Sequence, residues 1–177
     1  KVHLLHGYMT EGEMASIYNH PKIKALISIS HGEGFGLPLF EAAGHGLPII
    51  STEWSGQNDF LFVPEKTKGS KKKKKRPKFA AVDYDLAPVQ KEAVWDGVLQ
   101  ADSMWAYPKQ GSFKMKLRDV YTKYDAATRK SIALKKYIRS NFEAQKQYKK
   151  FCSHLEEYIT DEDNWLHEIE DIVKEYE

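Results

Sequence analysis

Short apolar runs alternate with amphipathic stretches over the first sixty positions. Val2 to Leu5 has the content of a short strand that ends in a turn at His6-Gly7. Thr10-Glu11-Gly12-Glu13 then has the form of a capping box, with the Thr10 hydroxyl accepting from the Glu13 N–H and the Glu13 carboxylate accepting from the Thr10 N–H. Met9 and Met14 are spaced to staple that helix start. Met14, Ile17 and Tyr18 share one helical face, and Pro21 stops the helix. Lys24 to Ser30 is almost continuously apolar, as expected of a strand covered on both faces. A glycine-rich turn, His31 to Gly36, leads into a helix with Pro38 near its start and His45-Gly46 at its end. Pro48 to Ser51 is a third strand. This order predicts a parallel sheet with right-handed crossovers.

Beyond Thr52 the pattern changes. Trp54 to Asp59 is turn-rich, Phe60 to Val63 and Phe79 to Val82 read as short strands, and residues 66–78 read as an exposed lysine-rich loop. Val89 to Ala101, Ser112 to Tyr124, Ala126 to Ser140 and Glu143 to Tyr158 have helical spacing. Phe113, Leu117, Val120 and Tyr124 form an apolar stripe on the second of these. Trp95, Trp105 and Trp165 are expected to pack at helix interfaces. The predicted class is α/β, with a Rossmann-like parallel sheet flanked by helices and a helical tail. Residues 1–160 form the main domain, and 161–177 an acidic helix.

Composition narrows the possibilities. Hydrophobic residues at 41% and charged residues at 29% describe a folded chain rather than a disordered one. A single cysteine, Cys152, excludes an internal disulfide and a Cys-x-x-Cys zinc site. His3 and His6 have no companions at ligand spacing, so no metal is expected. The chain opens Lys-Val-His-Leu-Leu without a methionine or a signal-peptide pattern, as a piece of a longer cytoplasmic protein would. The net charge of +2 conceals an asymmetry. Lys68, Lys71 to Lys75, Arg76 and Lys78 are eight basic residues in one tract, and the rest carries 19 basic residues against 25 acidic. No aromatic residue interleaves Lys71 to Lys78, so no base-stacking platform is built there, and nucleic acid is not the expected partner. The tract reads as a solvated loop, with contact to an anionic acceptor or membrane surface as its alternative use.

The candidate chemistry lies in His31 to Ile50. A glycine-rich turn at the C-terminal end of a parallel strand feeds a helix N-terminus, where free N–H groups and the helix dipole favour phosphate. Gly32, Gly34 and Gly36 allow φ > 0 and close approach of a ligand. Glu33 and Glu41 flank the turn, and as carboxylates beside a phosphate they suit sugar hydroxyls better than the phosphate itself. His31 and His45 are weaker candidates for acid–base work.

Glu33-Gly-Phe-Gly-Leu-Pro-x-x-Glu41, followed by Ala-x-Gly-x-Gly-x-Pro, resembles the glutamate-x7-glutamate signature of retaining glycosyltransferases of the GT-B fold, family-4 type. Val2-x-Leu-Leu-x-Gly7, Glu13-Met14, Ile17-Tyr18, Ala25 to Ser30, Ile49 to Ser51, Gly56 and Asp59 are similar in order, so the resemblance covers residues 2 to 64. It implies the C-terminal, donor-binding half of a GT-B fold. It also implies transfer of a hexose from a nucleotide diphosphate sugar to an acceptor hydroxyl, with retention and with neither metal nor cofactor. Glu33 would contact the donor sugar and serve as the candidate catalytic residue. The amides of Gly34, Phe35, Gly36 and Leu37 would bind sugar and diphosphate, Glu41 the ribose, and Gly7, Tyr8 and Met9 would lie against the base. The family's diphosphate-clamping arginine and lysine, and its acceptor-binding N-terminal domain, would precede Lys1. The chain alone is therefore expected to hold donor weakly and not to turn over. It is also expected to expose an apolar patch open to self-association. Ser28-Ile-Ser-His31 departs from the proline-serine pair frequent in the family. A GT-B-like epimerase or phosphorylase, and a non-catalytic module led by the lysine tract, are the alternatives.

Overall fold

The computed structural model describes residues 1–67, 69 and 72–155. Two compact units divide the chain, Lys1–Arg139 and Ser140–Glu177, where the sequence suggested a boundary at 160.

The first unit is built on a small parallel sheet of strands β1 (Leu26–Ser28), β2 (Ile49–Thr52) and β5 (Ala80–Val82), in that order, with β2 central and buried at every position. Helix α1 (Glu11–Tyr18) starts at Thr10, and both halves of the expected capping box form. Helix α2 (Leu37–His45) lies between two left-handed glycines, Gly36 at its N-cap and Gly46 at its C-cap, as the sequence suggested. Tyr18, Ala42 and Leu47 pack together with Met14, Ile23 and Leu26 on the α1–α2 side. On the other side Ile50 and Val82 pack against Val120 and Phe113 of α4 (Gln110–Thr122) and Tyr124 and Ala127 of α5 (Tyr124–Asn141). The coarse expectation of a parallel sheet between helices therefore holds. In the stripe on α4, Val120 is buried but Leu117 is exposed.

Several elements differ from the sequence expectation. Val2 to Leu5 is not a strand; Val2, Leu4 and Leu5 are exposed. The edge it would pair with is only three residues long. Each cross-strand pair there adds at most about 1 kcal/mol, against about 1–2 kcal/mol per residue to order the backbone. β1 is correspondingly an edge strand, with Ile27, and Ile29 just beyond its end, exposed rather than covered. Phe60 and Leu61 end a single helical turn, α3 (Asn58–Leu61), before β3 (Phe62–Lys66) begins.

Part of the lysine-rich loop expected at 66–78 is instead a strand: β4 (Lys73–Pro77) runs antiparallel to β3, pairing Glu65 with Lys74 and Val63 with Arg76, while Lys68, Ser70 and Lys71 lie outside the described residues. Glu65 bridges to Lys78 and Arg76 across this hairpin, and this pairing holds its carboxyl below the ordinary range. The helix expected over 89–101 is also absent. Strands β6 (Tyr84–Pro88) and β7 (Met104–Pro108) form a second hairpin, and between them Gly97, at φ 75°, closes a tight turn bridging Trp95 and Leu99. Valine and tryptophan favour extended backbone, and the amphipathic pattern of residues 89–101 does not outweigh that. Trp95 is exposed as a result, not packed between helices.

In the second unit α6 (Ala144–Leu155) carries Tyr148, Phe151 and Leu155 exposed. The acidic helix expected at 161–177, Trp165 included, lies outside the described residues. No helix among the described residues is long and apolar enough to cross a membrane.

Candidate functional site

The glycine-rich turn lies at the C-terminal end of β1, between that strand and α2, and a second loop, Glu53 to Gln57, holds it from below. Ser55 Oγ donates to the Glu33 carbonyl (2.7 Å) and accepts from the Glu33 amide (3.2 Å), while the Gly56 amide donates to the same carbonyl (3.1 Å). Gly56 is dictated by this contact, because a Cβ there would collide with the Gly34 carbonyl. Ser55 accepts a left-handed φ of 78° to deliver its hydroxyl. Gln57 is fully buried beneath Gly36, with Nε2 donating to the Thr52 carbonyl (3.2 Å) and Oε1 lacking a partner. Sequence reasoning placed Gly56 in the motif but missed Ser55 and Gln57. Their only signal was a Ser-Gly pair just after a buried strand.

Of the three glycines in the turn, only Gly36 adopts a left-handed backbone (φ 84°); Gly32 and Gly34 do not, contrary to expectation. A Cβ on Gly34 would meet nothing within 4 Å. Neither conformation nor packing within the chain requires glycine there, and the space beside it is open. No side chain caps α2, and the Leu37 amide, at the first helical position, lies outside the helix's own ladder. Phe35 anchors the turn by packing its ring on Phe40 (5.3 Å between centroids) and on buried Phe60 (5.1 Å).

The two glutamates face different supports. Glu33 Oε1 accepts from Ser30 Oγ at 3.0 Å, which folds the side chain back over its own loop. Glu41, exposed on α2, accepts at Oε2 from the Tyr18 hydroxyl at 3.1 Å. Burial, together with this carboxylate, pushes the Tyr18 hydroxyl up to about 12. Tyr8 is almost fully exposed, and neither it nor Gly7 nor Met9 is hydrogen-bonded to the turn. Among the described residues no three His, Cys, Asp or Glu side chains converge as a metal site would need.

An aromatic wall that the sequence did not suggest stands beside the turn. His31 stacks almost parallel on Trp105 of β7 (4.6 Å, 6°), lies 4.8 Å from the Tyr107 ring, and contacts the Ala106 carbonyl through Nδ1 at 2.9 Å. Trp54 and Tyr84 approach at 5.4 Å. His31 is thus a packed support for the turn. His45 stacks on Tyr18 and contacts Asn19, also a support. Two cavities among the described residues lie elsewhere, and neither is lined by residues 31–41. With the space beside Gly34 open, the turn is a shelf with uncommitted amides, two flanking carboxylates and an aromatic side wall. No protein-family model, curated protein or solved structure matches the chain.

Proposed function

We propose that the chain is the donor-binding half of a retaining glycosyltransferase of the GT-B fold. Such an enzyme passes a hexose from a nucleotide diphosphate sugar to an acceptor hydroxyl. The observation that carries this is Gly34. Its missing side chain leaves open space that the fold does not need, directly before an uncapped helix N-terminus. A diphosphate set there would accept from the amides of Gly34, Phe35, Gly36 and Leu37. The helix dipole would oppose the charge that builds on the leaving group as the glycosidic bond breaks. Glu33 would meet the sugar as the candidate catalytic residue, Glu41, steadied by Tyr18, would accept from the ribose hydroxyls, and Gly7, Tyr8 and Met9 would border the base. The shelf is open, so enclosure of the donor falls to a second domain that also carries the acceptor.

Thermal melting with UDP-, GDP- and ADP-glucose tests this, because a ligand held only by the native state raises the melting temperature. Because the chain alone is expected to hold donor weakly, the donors are used at high concentration, and one of them is expected to raise it. Glu41→Gln is expected to weaken that donor about tenfold, the scale of a lost hydrogen bond to a charged group, while neutralising Lys73 to Lys75 leaves it unchanged. No rise with any of the three refutes the proposal. A rise abolished by the lysine changes alone favours the second function class, a module led by the five exposed residues of β4.

A further inference from the structure

At the opposite end of the sheet from the glycine-rich turn lies a cavity of about 330 Å³, within the range of small-molecule sites. Pro48 and Ile49 at the start of β2, and Phe79 and Ala80 at the start of β5, form one wall. Val120 and Ala127 supply apolar surface from α4 and α5. Four lysines, Lys78, Lys116, Lys123 and Lys130, surround this apolar interior, against one carboxylate, Asp119. Two of the four are already committed: Lys78 to Glu65, and Lys123 to Asp119 at 3.0 Å. Lys116 and Lys130 have no ion-pair partner among the described residues. A fifth lysine, Lys24, lies at the same sheet end, its Nζ 5.6 Å from the Tyr124 ring centroid.

Helical spacing produces this convergence. Lys116, Val120 and Lys123 share one face of α4, and Ala126, Ala127 and Lys130 share one face of α5. Ammonium groups gathered round a concavity repel one another, and an anion seated among them removes that repulsion. The surrounding charge suits a dianion, and the apolar interior suits a small hydrophobic body attached to it. We propose that this cavity binds a phosphomonoester, with Lys116 and Lys130 as the principal ligands of its phosphate. The site is separate from the shelf: β2 starts at the cavity and ends at Thr52, whose hydroxyl donates to the Ser30 carbonyl beside the turn. Its existence does not depend on the glycosyltransferase proposal.

The phosphate can belong to a soluble metabolite or to a lipid headgroup, and two probes separate these sources. In calorimetry on the full chain at low salt, phenyl phosphate is expected to bind. The double substitution Lys116→Gln and Lys130→Gln is expected to weaken it about tenfold or more, because two charge-assisted contacts are lost. Lys91→Gln with Lys114→Gln removes equal charge from residues that do not line the cavity, and Glu41→Gln changes only the shelf; both are expected to leave binding intact. Phosphatidylcholine vesicles containing phosphatidic acid provide the second arm. Sedimentation with them that requires Lys116 and Lys130 supports the proposal with a lipid source. Phenyl phosphate binding without sedimentation supports it with a soluble source. The proposal fails if neither probe binds, or if the cavity variant and the Lys91/Lys114 variant weaken binding equally.

Discussion

Gly34, Gly36 and Gly56 lie within one loop contact of each other and are glycine for three separate reasons. Gly36 is left-handed, and its absent Cβ would press on Gln57 Cβ at 3.2 Å and Leu39 Cδ1 at 3.4 Å. Gly36→Ala therefore adds backbone strain of about 1–2 kcal/mol. Gly56→Ala is more disruptive, since its Cβ would strike backbone, and backbone gives way only if the whole turn shifts. Gly34→Ala meets neither obstacle, and its effect on folding should stay within about 0.5 kcal/mol. If the shelf is a donor site, the same methyl projects into the space the donor fills, and affinity falls while stability does not. Urea unfolding of the three variants should rank them Gly56, Gly36, Gly34 in loss of stability, with donor binding lost in all three. Full donor affinity in a stable Gly34→Ala variant would remove the basis for placing a ligand there.

The helix caps, closed by neighbours in sequence, and the strands of the parallel sheet were legible from the sequence; the two antiparallel hairpins and the wall beside the turn were not. The caps of α1 and α2 depend on residues within one turn, and they form as their spacing suggested. The hairpin β3–β4 instead rests on pairing a lysine run with Phe62 to Lys66, and the wall beside the turn rests on His31 meeting Trp105. Extended structure is decided by what lies across from it, which a single strand's composition does not reveal. For the same reason the site was half legible: the turn, its two glutamates and α2 were apparent, the loop beneath and the wall beside were not. The cap of α1 also makes a pH prediction. Hydrogen bonds from the Thr10 amide and hydroxyl hold the Glu13 carboxyl below its ordinary value. A depressed carboxyl stabilises the fold above its unfolded pKa, and that contribution disappears as pH falls through the folded one. The Thr10 amide resonance should therefore titrate in acid below the ordinary carboxylate range, and Glu13→Gln should abolish that titration. Titration within the ordinary range would mean the capping box does not persist in solution.

At the scale of the molecule, the core belongs to one unit. Every buried hydrophobic residue among those described lies between Tyr18 and Ile138, within Lys1–Arg139. Helix α5 completes that core with Leu134 fully buried, and Lys135 reaches the His45 carbonyl at 3.3 Å, tying the helix to the end of α2. α6, by contrast, has no buried residue. A domain that contains its own core folds without its neighbour, so a chain ending at Asn141, the last residue of α5, should fold alone. Its thermal unfolding should remain a single cooperative transition, with the midpoint within about 5 °C of the full chain's, a shift of roughly 1 kcal/mol for a domain of this size. Trp54, Trp95 and Trp105 all remain in the fragment, so comparing it with a full chain carrying Trp165→Phe makes tryptophan fluorescence report the same unit in both. A fragment that loses its cooperative transition would show that residues 142–177 contribute to the core through contacts beyond α6. A fragment that keeps it confines both the shelf and the lysine-lined cavity to residues 1–141, and phenyl phosphate should then bind the fragment as it binds the whole chain.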